Sequence, residues 1–158
     1  MTASTVERRR QLLACAQAIS APAANRNIKP VHVSQVISDL EIRRVLETVV
    51  RRWTKFVPAT LSSPEAIGLP ANQVDFDHVV PCRVLVDRMI MDPAECERLL
   101  TQAVVLARIT KQQHRALGGI FLHHEALYGR LLTAHLSDLA ALGRQCYGVP
   151  KISLLSIG

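Results

Sequence analysis

Aromatic residues are scarce. Trp53, Tyr128, Tyr147, Phe56, Phe76 and Phe121 make up 4% of a 158-residue chain that is 49% hydrophobic. The interior must therefore be built from Leu, Val, Ile and Ala, which suits packed helices. The four cysteines, Cys15, Cys82, Cys96 and Cys146, form no CxxC pair, which argues against a zinc knuckle and reads as free thiols in a reducing compartment. No apolar run reaches the roughly 20 residues of a membrane span. Arg8, Arg9 and Arg10 precede an apolar stretch, as in a leader peptide. The spacing of Leu12, Leu13, Ala16 and Ile19 instead predicts an amphipathic helix. The expectation is a soluble, cytoplasmic protein with no membrane partner. Internal repeats and low-complexity tracts are also lacking, so one ordinary domain is expected.

What is present is an uneven charge. The formal net charge is +6. Residues 1–60 hold ten Lys and Arg against four Asp and Glu, residues 61–110 four against seven, and residues 111–158 five against two. Basic flanks would draw a polyanion, and the acidic middle a cation. Many basic proteins bind neither.

Helices are predicted over 4–20 and 33–56, separated by the loop SAPAANRNIKP. In the second, Val36, Ile37, Leu40, Val45, Val49 and Trp53 recur at helical spacing. Arg43, Arg44, Arg51, Arg52 and Lys55 gather near its polar side, either as a solvated face or as one that meets phosphates. Its apolar stripe would serve an interface with a second copy or a protein partner. The Pro-rich segment 57–73 reads as a connection. A strand is expected near 74–80, short helices over 82–91 and 93–102 with Asp92-Pro93 opening the second, and a strand over 103–109. Thr110 then caps a helix running to 118, and helices follow over 121–135 and 137–146. The fold class is α+β, mostly helical: an N-terminal helical region over residues 1–56, the connection 57–73, a core 74–119 with a helical insertion, and C-terminal helices and tail 120–158.

Within that outline one arrangement carries chemistry. Asp77-His78-Val79-Val80-Pro81 ends the first strand, and Thr110-Lys111-Gln112-Gln113-His114-Arg115-Ala116-Leu117 opens the helix after the second. The order D-H-x-x-P, strand, T-K-x-x-H-x-x-L resembles the HNH-like, or ββα-metal, nuclease superfamily, over about 40 residues from 75 to 117. The resemblance implies Asp77 and His114 as ligands of a divalent metal, Mg²⁺ or Mn²⁺ first and Zn²⁺ as a further candidate. It implies His78 as the general base, and DNA or RNA as substrate. Arg83, Lys111 and Arg115 would hold phosphate beside the site, with Arg43, Arg44, Arg51 and Arg52 as further nucleic-acid contacts. The chemistry suits the residue types: imidazole takes a proton near neutral pH, and a hard cation neutralises the phosphate. The sequence departs from the family in lacking an evident Asn in the motif. The alternative is a non-catalytic nucleic-acid- or protein-binding subunit with a nuclease-like fold, in which Asp77 is a turn residue and His78 meets a backbone carbonyl. His123 and His124, adjacent on a helix, would face about 100° apart.

Overall fold

The computed structural model describes residues 2–24, 33–118 and 125–158, with side chains described except at 22–24, 33–39 and 125. His32, His123 and His124 lie outside the described residues. Of the loop expected over 20–30, residues 20–24 are helical instead, continuing the first helix, and residues 25–30 lie outside the described residues. The described residues form a mostly helical α+β protein with a small four-stranded mixed sheet. None of its helices is long and apolar enough to cross a membrane. The chain divides into two compact units, residues 1–56 with 82–101 and residues 57–81 with 102–158.

The first unit is helical. It holds α1 (Ala3–Ala24), α2 (Val33–Trp53) with a 3₁₀ turn Thr54–Phe56, α3 (Cys82–Met91), and α4 (Cys96–Arg98). Its interior is aliphatic, as the shortage of aromatics requires: Leu46, Val50, Val84, Leu85, Met89, Leu99 and Leu100 are all fully buried. Trp53 joins them at 2% exposure, with the Arg9 guanidinium 4.7 Å from its ring centre. The apolar stripe expected on α2 is narrower than its sequence spacing suggests, because Leu40 is 51% and Val45 39% exposed. The predicted helix 93–102 is a composite. A 3₁₀ turn opens with Asp92 accepting a hydrogen bond from the Ala94 amide, and the segment ends in a π-helical turn over Leu99–Ala103. That turn delays the next strand by three residues, from 103 to 106.

Buried charge in this unit is paired. Arg88, 8% exposed, makes a bidentate pair with Glu95, its Nη2 2.9 Å from Oε2. Asp87 is held by Arg43, with Arg83 3.9 Å away. Ser20 Oγ donates to the Ala16 carbonyl and lies 3.1 Å from Cys96 Sγ.

The second unit holds the sheet. Strands β1 (Leu61–Ser62), β2 (Val74–His78), β3 (Leu106–Thr110) and β4 (Leu155–Ser156) lie in the order β2-β3-β1-β4. β3 runs antiparallel to β2 and parallel to β1, and β4 runs antiparallel to β1. Helices α5 (Lys111–Leu117), α6 (Glu125–Thr133) and α7 (Leu139–Gly148) complete it. The Pro-rich connection is thus part of the sheet: Leu61 and Ser62 pair with Ala107 and Arg108 on one side and with the chain's tail on the other. Two-residue strands leave no period-2 pattern to read. The core of this unit packs Leu61, Val79, Ala107, Ile109, Leu117, Cys146, Tyr147 and Ile152 together.

Candidate functional site

The β2–β3 pairing decides which side chains meet. Asp75 lies opposite Ile109 and Asp77 opposite Ala107, while Phe76 lies opposite Arg108 and His78 opposite Leu106. Side chains alternate along a strand, and directly paired residues share a face. Asp75 and Asp77 therefore stand on the core face, beside buried Ala107 and Ile109. His78 starts on the opposite face with Phe76.

Helix α5 begins at once after β3 because Thr110 and Gln113 form a capping box. The Gln113 amide donates to Thr110 Oγ1 at 3.1 Å, and the Thr110 amide donates to Gln113 Oε1 at 2.9 Å. Gln113 is held further by Ser63 Oγ, 2.7 Å from Oε1, and it donates to Glu65 at 2.9 Å. Hydrogen bonds from its own backbone amide and then from Gln113 keep the Glu65 carboxyl below its ordinary range. The first turn of α5 is fixed at both ends of this network, and His114 follows immediately.

His114 Nδ1 is 2.9 Å from Asp75 Oδ2, and His114 Nε2 is 3.6 Å from Asp77 Oδ1. The first contact is a hydrogen bond. The second is too long for one. With Nδ1 carrying the proton toward Asp75, the Nε2 lone pair faces Asp77. This is the arrangement in which an outer carboxylate orients a metal-binding imidazole.

The other oxygen of Asp77 is set by α7. Tyr147 donates its phenolic hydrogen to Asp77 Oδ2. Burial first, and the neighbouring Asp77 carboxylate second, push the Tyr147 phenol far above its ordinary pKa, so it stays a donor. Gly143 brings α7 close enough: a Cβ there would lie 2.2 Å from the Val79 carbonyl oxygen. Tyr147 is one helical turn beyond Gly143, and Asp77 is two strand residues before Val79, so the close approach aligns the pair. Cys146 is buried beside them, and burial pushes its thiol up to about 11.

The structure thus brings Asp77 and His114 together, as the sequence led us to expect, and adds Asp75 and Tyr147. It does not bring His78 to the same face by its strand position, and His78 Nε2 is buried. The expectation that Asp77 and His78 jointly meet the start of the helix is corrected: adjacent strand residues face opposite ways, and the residue that shares the face of Asp77 and also meets His114 is Asp75. Lys111 and Arg115 are exposed on α5, the helix of His114. Arg83 falls in the helical unit, drawn toward Asp87. Arg43 is committed to Asp87, while Arg44, Arg51 and Arg52 are exposed on α2. Asp75 could have been found from the D-x-D spacing, which places two carboxylates on one face of any strand. Tyr147, 70 residues from Asp77, left no local signal.

A divalent cation fits the donor set in a limited way. Among the described residues no group of three or more His, Cys, Asp and Glu is placed to hold a metal. Asp77 Oδ1 and His114 Nε2, 3.6 Å apart, are the two donors that would hold such an ion. Such an ion keeps most of its waters, so two protein ligands are chemically sufficient. His114 is 46% and Asp77 25% exposed, which leaves the pair open to solvent and to a large substrate. No family model, no curated protein and no solved structure matches this chain.

Proposed function

We propose that this protein hydrolyses phosphodiester bonds of DNA or RNA with a divalent metal, Mg²⁺ or Mn²⁺, held by Asp77 and His114. The observation that carries the reading is the directed chain Asp75–His114–Asp77–Tyr147. One carboxylate fixes the imidazole tautomer and one phenol fixes the second carboxylate. A divalent ion at such a pair neutralises phosphate charge and makes bound water more acidic. The protein's own residues do the remainder. Asp75 keeps the His114 proton on Nδ1. Tyr147 holds Asp77 Oδ2, leaving Oδ1 toward His114. Lys111 and Arg115, exposed on the same helix, meet the phosphates. His78, expected as the base, is turned by its strand position to the face opposite Asp77 and His114, so its part in the reaction rests on the His78→Ala variant below.

The test is cleavage of plasmid DNA and of a structured RNA in Mg²⁺ or Mn²⁺. Asp77→Asn and His114→Ala should each lower the rate at least 100-fold, and EDTA should stop it. His78→Ala should lower it comparably if that residue is the base; an unchanged rate removes His78 and leaves the metal pair. Cleavage by wild type that survives both metal-pair substitutions would refute the reading.

A second reading, a non-catalytic binding subunit, is favoured by one feature. The His114 ring lies within reach of both Asp75 and Asp77, a polar cluster that needs no metal to hold it together. It is supported if no metal produces cleavage and Asp77→Asn lowers stability instead.

A further inference from the structure

The helical unit carries most of the chain's charge. Residues 1–56 and 82–101 hold thirteen Lys and Arg against eight Asp and Glu, so +5 of the net +6 lies there. Within it a cleft of about 550 Å³ opens between α1 and the end of α2. From α1 it takes Arg8, Gln11 and Leu12, which share one helical face, and from the end of α2 and the turn after it Arg52, Lys55 and Phe56. Three lining side chains are cations and none is acidic.

Arg8, Arg52 and Lys55 are exposed, and none has an ion-pair partner among the described residues. Their neighbours differ: Arg10 lies 3.9 Å from Glu7, and Arg43 is committed to Asp87. The negative end of the α2 dipole accounts for Arg51 and Arg52 in its last turn, but not for Arg8 on another helix. Arg9 over the Trp53 ring ties α1 to the end of α2 beside the cleft, so the cations are held in place rather than gathered by a ligand. Phe56, half-buried, and Leu12 provide an apolar wall next to them.

Cations beside an aromatic face, in a cleft large enough for one nucleotide, match the way single strands are gripped: backbone on charge, base on a ring. We propose that this cleft binds single-stranded nucleic acid, with phosphates on Arg8, Arg52 and Lys55 and a base against Phe56. The inference shares with the proposed function only its nucleic-acid ligand, and it requires no cleavage.

The experiment is fluorescence anisotropy with a fluorescein-labelled single strand of about 12 nucleotides, as DNA and as RNA, in EDTA across a salt series. The full chain is compared with R8Q/R52Q/K55Q and with a charge-matched control, R10Q/R98Q/R130Q. All six arginines and lysines are exposed, so both triples should fold, as circular dichroism checks. The cleft triple should bind at least tenfold more weakly. Its log–log salt slope should be shallower by about 2, at roughly 0.7 per phosphate contact for a single strand. The control should change less than threefold. Cys15, which also lines the cleft, should react with a thiol reagent more slowly when the strand is bound. Equal weakening of both triples would mean diffuse charge attraction and overturn the proposal, as would no weakening of either. Full displacement by AMP, with no dependence on strand length, would replace it with a mononucleotide site. Failure of the two ideas is separable. Loss of binding in the cleft triple without any cleavage by wild type refutes only the nuclease reading. Cleavage that needs Asp77, with the cleft triple binding as wild type, refutes only the cleft.

Discussion

Replacing Gly143 with alanine tests the structural logic of the candidate site independently of any activity. The added Cβ would lie 2.2 Å from the Val79 carbonyl oxygen and 2.9 Å from its carbon. Both obstacles are backbone, so no side chain can swing away, and α7 must back off from the sheet or the strand must bend. Overpacking of a core costs about 1–3 kcal/mol, and a backbone obstruction belongs at the upper end. About 3 kcal/mol corresponds to a fall of about 6–12 °C in Tm for a chain of this length. The displacement also pulls Tyr147 from Asp77. The chain has two tyrosines, Tyr128 and Tyr147, so phenolate absorbance at alkaline pH separates them. In wild type, buried Tyr147 should ionise only as the protein unfolds; in G143A its titration should begin at lower pH. Both readouts should move together. A Tm within about 1 °C of wild type would refute the claim that this glycine is required by close approach. A lowered Tm with unaltered tyrosine titration would refute the claim that Gly143 places Tyr147.

Alkaline pH should destabilise the protein in a defined direction. Burial raises both Tyr147 and Cys146 above their unfolded values of about 10 and 9, so the stability tied to their neutral forms is full below pH 9 and declines as pH rises beyond it. Urea midpoints at pH 8, 9.5 and 10.5 should fall in that order, and Tyr147→Phe should flatten the decline while costing about 1.5–3 kcal/mol at pH 8 for the lost bond to a charged acceptor. Glu95→Gln should cost about 3 kcal/mol in the same measurement, because Arg88 is then left buried without its carboxylate. Arg9→Ala should cost only about 0.5–1 kcal/mol, yet alter the emission of Trp53, the chain's one tryptophan.

Local signals read well wherever the chemistry was local. Thr110 caps a helix because its hydroxyl and Gln113 lie within one turn, and Asp92 caps because Pro93 follows it. The helices over 82–91 and 33–53 follow from apolar spacing, and Trp53 is core because it closes such a spacing on α2. The nearness of Asp77 to His114 is long-range, with residues 82–101 between them in the other unit, and was expected only from the resemblance in the order of strand, strand and helix.

What the sequence determined by itself, then, is the mostly helical α+β class, the aliphatic interior and the helix starts. Each depends on residues a few positions apart or on composition. Tertiary structure alone decided the rest. Leu61–Ser62 became a strand because Ala107–Arg108 and Leu155–Ser156 lie on either side, and two residues cannot announce a strand on their own. Asp77 rather than His78 met His114 because α5 lies against the face of β2 that carries Asp75 and Asp77. Tyr147 reached Asp77 because Gly143 lets a helix touch a strand carbonyl. Arg8 met Arg52 and Lys55 because α1 packs on α2. Such long-range contacts are set by close packing among many side chains, which no short stretch of sequence contains.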